Sequence, residues 1–477
     1  MNRVLTVKQM QEADRFTIEK LGIPSEMLIE RAGEAVYMEI TKRYRGGRVL
    51  VCIGAGNNGK DGEIVAKKLA KMHGFKVDVC HISQGDFTLF NNKYDIIVDC
   101  IFGTGLNREV VGNYKLAIEK INQSKSVVIS CDIPSGLNGD TGLAMGIAVE
   151  ADLTIAIQEY KVGHFLNDGK DYCGEIVVKD IGISIWDDDL VNILSSDDVK
   201  KYFPKRKSNS HKGSYGKVTI IGGSKDYSGS AMLSLNSLTA LKMGVGYSTL
   251  YVPESLFSIY AGVYPECIIR TMPDQNGFIL YDVNRLEETL TCPVIAIGMG
   301  IGVSKEVYEI IAYYLKNYNG TLIIDADGLN SLAKYDVSIL KDKKCSVVLT
   351  PHIGEFSRLT GINKDEIMVN PIAKAKEFAK QYNVTLALKS NATIITNGDI
   401  TYLNVNGNTA LAKAGSGDVL CGIMAGVLTR SSSIVEGVAV SCYVLGASAE
   451  FAVKDENEYV VTASDVIGSL GTAINSL

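Results

Sequence analysis

The chain has 477 residues, 46% hydrophobic and 21% charged, a globular composition with room for about two or three domains, each with its own core. Its net charge of −6 argues against nucleic-acid binding, which is normally accompanied by a basic excess. Ten cysteines, scattered singly without Cys-x-x-Cys, and five histidines without metal-ligand spacing argue against disulfides and zinc and point to a reducing, cytoplasmic setting.

Charges at Arg3, Lys8, Glu12 and Asp14 interrupt any apolar leader, so no signal peptide is expected. Thr6 with Gln9 reads instead as a capping box opening a helix. Short apolar strands are expected at 49–53, 77–82, 96–101, 127–133, 153–157 and 176–178, several with helical patterns between them. Such alternation predicts an α/β domain with a parallel sheet covered on both faces, and ligands beyond the carboxyl ends of its strands.

The strand ends are where this half is polar. Gly54-Ala-Gly56-Asn-Asn-Gly59, ahead of a helix expected over 61–72, matches the dinucleotide fingerprint literally. The acid that should close the next strand is missing, because Asp78 lies within it and its end offers His81 and Ser83. An ordinary NAD dehydrogenase is therefore disfavoured. Three segments stand out: Asn57-Asn58-Gly59-Lys60-Asp61, Asp99 with Gly103-Thr104-Gly105-Leu106, and Asp132 with Ser135 and Asp140. Asn58, Asp99 and Ser135 could converge as oxygen ligands of a hard cation. The Gly-Thr-Gly turn suits phosphate, and Asp132 is a candidate acid or base. Turn chemistry is the simpler reading of Ser135 and Asp140 alone. An acid at an apolar strand end, as at Asp99, needs a partner.

Polar residues replace the apolar rhythm between 194 and 216, giving a first domain over 1–200, a linker over 201–215 and a second domain over 216–477. Strands resume at 218–221, 248–252, 294–297, 322–324, 346–349 and 385–388, with an apolar helix expected over 232–243. The longest uncharged apolar runs, such as 437–449, fall short of a membrane span and read as buried helices. Glycine turns follow two of these strands, at 222–229 and 298–302. Asp325-Ala-Asp327 suits magnesium-phosphate or a ribose, with an N-cap role for Asp327 as the alternative. His352 sits at a strand end among glycine and acid, and Lys389 at another, suited to a diphosphate. Gly415-Ser416-Gly417-Asp418 then precedes an apolar helical run over 419–428. A helix N-terminus holds phosphate well. A carboxylate there repels phosphate, and makes sense if it takes a proton from a hydroxyl during phosphoryl transfer.

The first three motifs resemble the NAD(P)HX epimerase domain over about residues 1–183. Those of the second half, Lys-Gly-x-Tyr-Gly, Asp-Ala-Asp-Gly-Leu-Asn, Thr-Pro-His-x-Gly-Glu-Phe and Gly-Ser-Gly-Asp, resemble the ADP-dependent NAD(P)HX dehydratase from about residue 212 onward. Together they are those of the bifunctional NAD(P)H-hydrate repair enzymes. The resemblance implies a Rossmann-like three-layer domain followed by a ribokinase-like α/β domain. It implies that the first epimerises R- and S-NAD(P)HX and that the second dehydrates the S epimer with ADP, releasing AMP and phosphate.

Carried over residue by residue, Asn57, Asn58, Gly59, Lys60, Asp61, Gly103, Thr104, Gly105, Leu106 and Asp132 hold the epimerase substrate. Asp132 and Lys161 act on it, and Asn58, Asp99 and Ser135 bind potassium. Ala231, Gly302, His352 and Asp418 contact the dehydratase substrate, with Asp418 as base. Lys389, Ser390, Asn391, Ala392, Thr393, Gly415, Ser416 and Gly417 hold ADP, which arrives with Mg2+. Lys60 and Ser390 depart from the family, which usually has glycine at both. A homo-oligomer without membrane or nucleic-acid partners is expected. The alternatives are a ribokinase-superfamily small-molecule kinase with an accessory domain, and a first half that is only a nucleotide-sensing scaffold.

Overall fold

The structure, a computed structural model, describes residues 1–187, 189–238, 242–263 and 265–477. Contacts divide the chain into two compact units, Asn2–Val191 and Asn192–Leu477 with Met1. The expected boundary therefore moves: residues 192–200 belong to the second unit, because Leu194 and Val199 are buried in its core. Polarity marks where apolar periodicity lapses, but two buried side chains suffice to decide which core a segment joins.

In the first unit, six parallel strands lie in the order Phe75–His81, Gly47–Ile53, Ile96–Cys100, Val127–Cys131, Leu153–Ile157 and Glu175–Lys179. Each contains or overlaps one of the six expected segments. Their side chains alternate between two cores. Val49, Val51 and Ile53 pack with Met10, Leu28, Val36, Val65 and Leu69 on one face, whereas Leu50 and Cys52 pack with Ala117, Ile118 and Ile121 on the other. This makes three layers. The Thr6–Gln9 capping box opens helix Val7–Glu19 as the spacing predicts. Strand order reverses at Gly47–Ile53, which pairs with both Phe75–His81 and Ile96–Cys100, so the crevice for a ligand lies beyond its carboxyl end.

Helix Asn57–Leu69 starts four residues before the expected 61. Asn57 to Lys60 are thus its first turn and not a loop. Glycines that weaken helix propensity are required here by close packing, since a Cβ at Gly59 would lie 2.0 Å from the Gly54 carbonyl oxygen.

In the second unit, parallel strands run in the order Ile268–Met272, Tyr247–Pro253, Lys217–Ile221, Val294–Ile297, Thr321–Ile324, Ser346–Leu349 and Thr385–Leu388. Thr393–Thr396 and Thr401–Asn404 continue the sheet antiparallel, a departure from the all-parallel expectation. Only four residues separate each consecutive pair of strands here, too few for a parallel crossover. The expected helix over 232–243 begins earlier, as Ser228–Leu238, and its residues 239–241 lie outside the described ones. Helix Ile434–Asp455 exceeds the apolar run read from sequence; over Ile434–Lys454 it is long and apolar enough to cross a membrane, yet 72% of its most apolar window is buried inside the fold.

Candidate active sites

A cleft of about 650 Å³ opens at the strand ends of the first unit, lined by Asn57, Asn58, Asp61, Asp132 and Lys161 together with the turn Gly103 to Leu106. Gly59 is buried against the Gly54 carbonyl and Lys60 is exposed, and neither is on the cleft wall, contrary to the expectation for both. They fall on other faces of the helix that carries Asn58 and Asp61, because successive helical residues turn about 100° apart.

Asp132 follows strand Val127–Cys131 with a left-handed backbone (φ +69°). Its carboxylate pairs with the Lys161 ammonium and accepts from the Ile157 amide at 3.0 Å. Lys161, 1% exposed, also donates to the Ile157 carbonyl at 2.6 Å. A buried ammonium is tolerable only with such partners. Asp14 and Asp61 are the other carboxyls of the cleft, and Asp61 is the one buried beside Asp132. Burial, reinforced by the nearby Asp132 charge, pushes Asp61 up to about 8. The site thus holds an ion-paired carboxylate beside a carboxyl that keeps its proton at neutral pH.

Asp99 and Ser135 lie beneath the cleft. Asp99 is fully buried, which raises it above the ordinary carboxylate range against the pull of its donors. Ser135 donates to it through Oγ (2.5 Å) and N (2.8 Å), Ser130 Oγ at 2.9 Å and the Ile101 amide at 3.2 Å. The partner that Asp99 needs is thus supplied within the protein by four hydrogen bonds, so its burial alone does not call for a cation. The unsatisfied atom is elsewhere. Asn58 Nδ2 donates to the Cys131 carbonyl at 2.9 Å and leaves the buried Oδ1 without a partner, an oxygen that fits a cation.

In the second unit, Asp325 ends strand Thr321–Ile324. Its Oδ1 accepts from Thr350 Oγ1 at 2.7 Å and from Lys389 Nζ at 3.0 Å. Lys389 is thus ion-paired within the protein. Helix Ser416–Leu428 begins two residues before Asp418, with Gly415 as its left-handed N-cap (φ +95°). A Cβ at Gly417 would lie 3.3 Å from Lys389 Nζ and 3.7 Å from Asp325 Oδ2. Asp325, Lys389 and the Gly-Ser-Gly-Asp turn therefore meet at one place. Burial, then the Asp325 charge, pushes Asp418 up to about 7, opposed by a hydrogen bond with Ser230.

His352 caps helix Ile353–Thr360 by accepting the Gly354 and Glu355 amides on Nδ1 (2.9 and 3.3 Å), while its Nε2 lies 3.6 Å from Glu355 Oε2, beyond hydrogen-bond distance. Burial, then Lys389, lowers its affinity for a proton. Gly302 N is already taken by Asp327 Oδ2 at 2.9 Å, so Asp327 braces that glycine turn and is not an N-cap. Ala231 is fully buried and can offer only its backbone, in the first turn of helix Ser228–Leu238. Ser390 to Ala392 form the turn between strands Thr385–Leu388 and Thr393–Thr396, closed by Ser390 Oγ on the Ala392 carbonyl at 2.8 Å.

Residues 218–470 match the NAD(P)H-hydrate dehydratase family, and residues 25–89 and 81–163 match the YjeF-related protein N-terminus. A bifunctional NAD(P)H-hydrate repair enzyme from Dictyoglomus turgidum is 32% identical across 100% of this chain and 99% of its own. The chain belongs to the bifunctional NAD(P)H-hydrate repair enzymes. A repair enzyme of the same name from Thermofilum pendens is 30% identical, with 100% of this chain and 97% of that one covered. Among solved structures, the ADP/ATP-dependent NAD(P)H-hydrate dehydratase of Bacillus subtilis, crystallised with ATP/Mg2+, covers 60% of this chain and 98% of its own at TM-score 0.52 and 28% identity. A ribokinase-like superfamily protein from Enterococcus faecalis, at TM-score 0.51 and 24% identity, covers 60% of this chain and 96% of its own and shares the fold.

These matches support the repair-enzyme reading and not the small-molecule kinase. Sequence reasoning did not show the contacts of two buried residues, Asp325 and His164. Asp325 had been read only with Asp327, as a metal or ribose ligand, and is the ion-pair partner of Lys389. His164, three residues after Lys161, lies in no motif that the sequence offers, and only its two backbone contacts single it out.

Proposed function

We propose that the first unit interconverts the R and S epimers of NAD(P)HX in the 650 Å³ cleft, and that the second dehydrates the S epimer with ADP as phosphoryl donor. The observation that carries this reading is common to both units: each holds a carboxyl with a raised proton affinity, the buried Asp61 at about 8 and the half-buried Asp418 at about 7, beside a second acid at a strand end. Carboxyls pushed away from their ordinary range in strand-end sites are the groups expected to move protons.

In the cleft, epimerisation requires the hydroxyl on C6 of the hydrated ring to leave and return on the other face. Asp61 supplies the proton with which it departs as water, and the ring nitrogen's electron pair forms the N1–C6 double bond. Water adding to the opposite face returns a proton to Asp61, so the cycle balances. Asp132 faces the positive charge that develops on the ring, and Lys161 holds Asp132 in place. Asn58, Asp99 and Ser135 would hold a potassium ion, which supplies positive charge for the dinucleotide phosphates; the unpartnered Asn58 Oδ1 supports this. Gly103 to Leu106 and the first turn of helix Asn57–Leu69 present backbone amides to the same phosphates.

In the second unit, Asp418 takes the proton of the S-epimer hydroxyl as that oxygen attacks the β-phosphorus of ADP and AMP leaves. The N1 electron pair then expels phosphate from C6, and transfer of a C5 proton to the departing phosphate re-forms the C5–C6 double bond of the dihydronicotinamide. The first-turn amides of helix Ser416–Leu428 and Lys389 carry the phosphoryl charge. His352 Nε2 contacts the substrate. The Asp325 Oδ2 oxygen, not used by Thr350 or Lys389, fits the magnesium that accompanies ADP. Ten unpaired cysteines support a cytoplasmic setting.

The deciding experiment gives the purified protein R- or S-NADHX, with and without ADP, and follows recovery of dihydronicotinamide absorbance. ADP-dependent recovery from both epimers supports the reading. Recovery from neither, or from S alone, overturns one or both assignments.

The pH dependence follows from Asp61. Its proton affinity is raised on folding, so its protonated form is present below about 8 and lost above. Epimerisation should fall as pH rises through about 8, and the Asp61 contribution to stability should fall over the window from about 4 to 8. A flat rate profile from pH 6 to 10 would remove Asp61 from the mechanism.

Lys389→Ala should raise the KM for ADP by about tenfold or more, the worth of one charge-assisted phosphate contact. It also strands the buried Asp325, at a cost of about 3–5 kcal/mol, so thermal unfolding must be measured beside the kinetics. An unchanged KM for ADP in the folded variant would exclude the contact.

A further inference from the structure

His164 is fully buried, lies outside the cleft lining, and none of the steps above uses it. Its ring is nonetheless bonded at both nitrogens. Nδ1 accepts the backbone N–H of Lys161 at 3.1 Å. A ring nitrogen that accepts carries no hydrogen, so in the neutral imidazole the hydrogen sits on Nε2. Nε2 lies 2.9 Å from the backbone carbonyl oxygen of Asp132 and donates to it. The two bonds thus fix one tautomer and one ring orientation. Both bonded partners belong to the residues whose side chains form the ion pair of the cleft.

Two features make this bridge more than ordinary packing. Asp132 stands at φ +69°, a backbone region that non-glycine residues occupy only when their surroundings hold them there. The bridge also closes a ring of contacts: Asp132 to Lys161 through the side chains, Lys161 to His164 through an amide, and His164 back to Asp132 through a carbonyl. Burial, then the Lys161 charge, holds His164 down to about 4, so it stays neutral and keeps its acceptor near neutral pH.

We propose that His164 is a positioning residue of the epimerase site, tying the backbones of Asp132 and Lys161 together and so setting where their side chains face the substrate. This rests on the reading of Asp132 and Lys161 as the acting pair. Displacing a reacting group by about 1 Å can cost on the order of 10²-fold in rate while substrate contacts elsewhere persist. The effect of losing His164 should therefore fall on kcat and spare KM.

The test uses the full chain carrying His164→Leu, which removes both bonds. It is compared with His164→Asn, which keeps an acceptor near Nδ1, and His164→Gln, which keeps a donor near Nε2. Epimerisation of R-NADHX should lose about 10–100-fold in kcat in the leucine variant, with KM little changed, as for residues that orient a reacting group. The asparagine and glutamine variants should recover part of that loss, and dehydration of S-NADHX should be unchanged in all three. A folded leucine variant with wild-type kcat, or a loss seen only in KM, overturns the proposal. If the leucine variant does not fold, wild-type kcat in both amide variants overturns it. Asp132→Asn run in parallel separates the two levels of the argument. If Asp132→Asn loses epimerisation while His164→Leu keeps it, only the positioning role fails. If Asp132→Asn keeps epimerisation, the reading of the pair fails and the proposal with it.

Discussion

Asp132→Ala should abolish epimerisation, by about 10²–10⁴-fold or more, and leave dehydration of pure S-NADHX intact. The residue brings a carboxylate to the 650 Å³ cleft and pairs with Lys161 there, and the dehydration chemistry belongs to the other compact unit. Alanine carries two side effects that must be separated from lost catalysis. It leaves the buried Lys161 ammonium unpaired, and alanine is poorly suited to φ +69°. Asp132→Asn avoids most of the second, since asparagine tolerates that region and keeps an acceptor for the Ile157 amide. Both variants should lose epimerisation together. Retention of activity in the asparagine variant would show that no charge is needed at this position.

Asp418→Asn should reduce dehydration by a similar factor, about 10²–10⁴-fold, with epimerisation unaffected. Asparagine preserves the first turn of helix Ser416–Leu428 while removing the base. The pH profile gives a second, independent check. Asp418 is raised to about 7 and works as a base only when deprotonated, so wild-type dehydration should rise with pH through about 7. That rise should vanish in the variant. A variant with near-wild-type rates, or one that keeps the same acid limb, would assign the proton to another group.

These two acids were legible in the sequence for different reasons. Asp418 follows a glycine turn and opens an apolar helical run, a local pattern whose chemistry is set by residues within a few positions. Asp132 closes a strand in an alternating strand–helix series, and in parallel sheets the strand ends are where ligands bind. The strand segments were legible as well, because continuous Val and Ile runs are demanded by burial on both faces.

Helix starts were read late for a physical reason. Asn57-Asn-Gly and Ser416-Gly have poor helix propensity, and at Gly59 the helix is set by close packing on the Gly54 carbonyl, which no local pattern shows. Local pattern likewise misplaced 192–200, where two buried side chains outweighed a polar stretch.

By itself, the sequence determined the α/β class and singled out Asp132 at a strand end and Asp418 at a helix start as candidates, since both patterns are local in the chain, whereas Lys161 came only from the family resemblance. Tertiary structure alone decided which groups are partners. It placed Lys389 on Asp325 across 64 residues, satisfied Asp99 from Ser130 and Ser135, left Asn58 Oδ1 unpaired, and bridged Asp132 to Lys161 through His164. Proton affinity followed from that pairing. The rise of Asp61 to about 8 and of Asp418 to about 7 comes from burial and from acids brought near by the fold, Asp132 and Asp325, which are remote in the sequence.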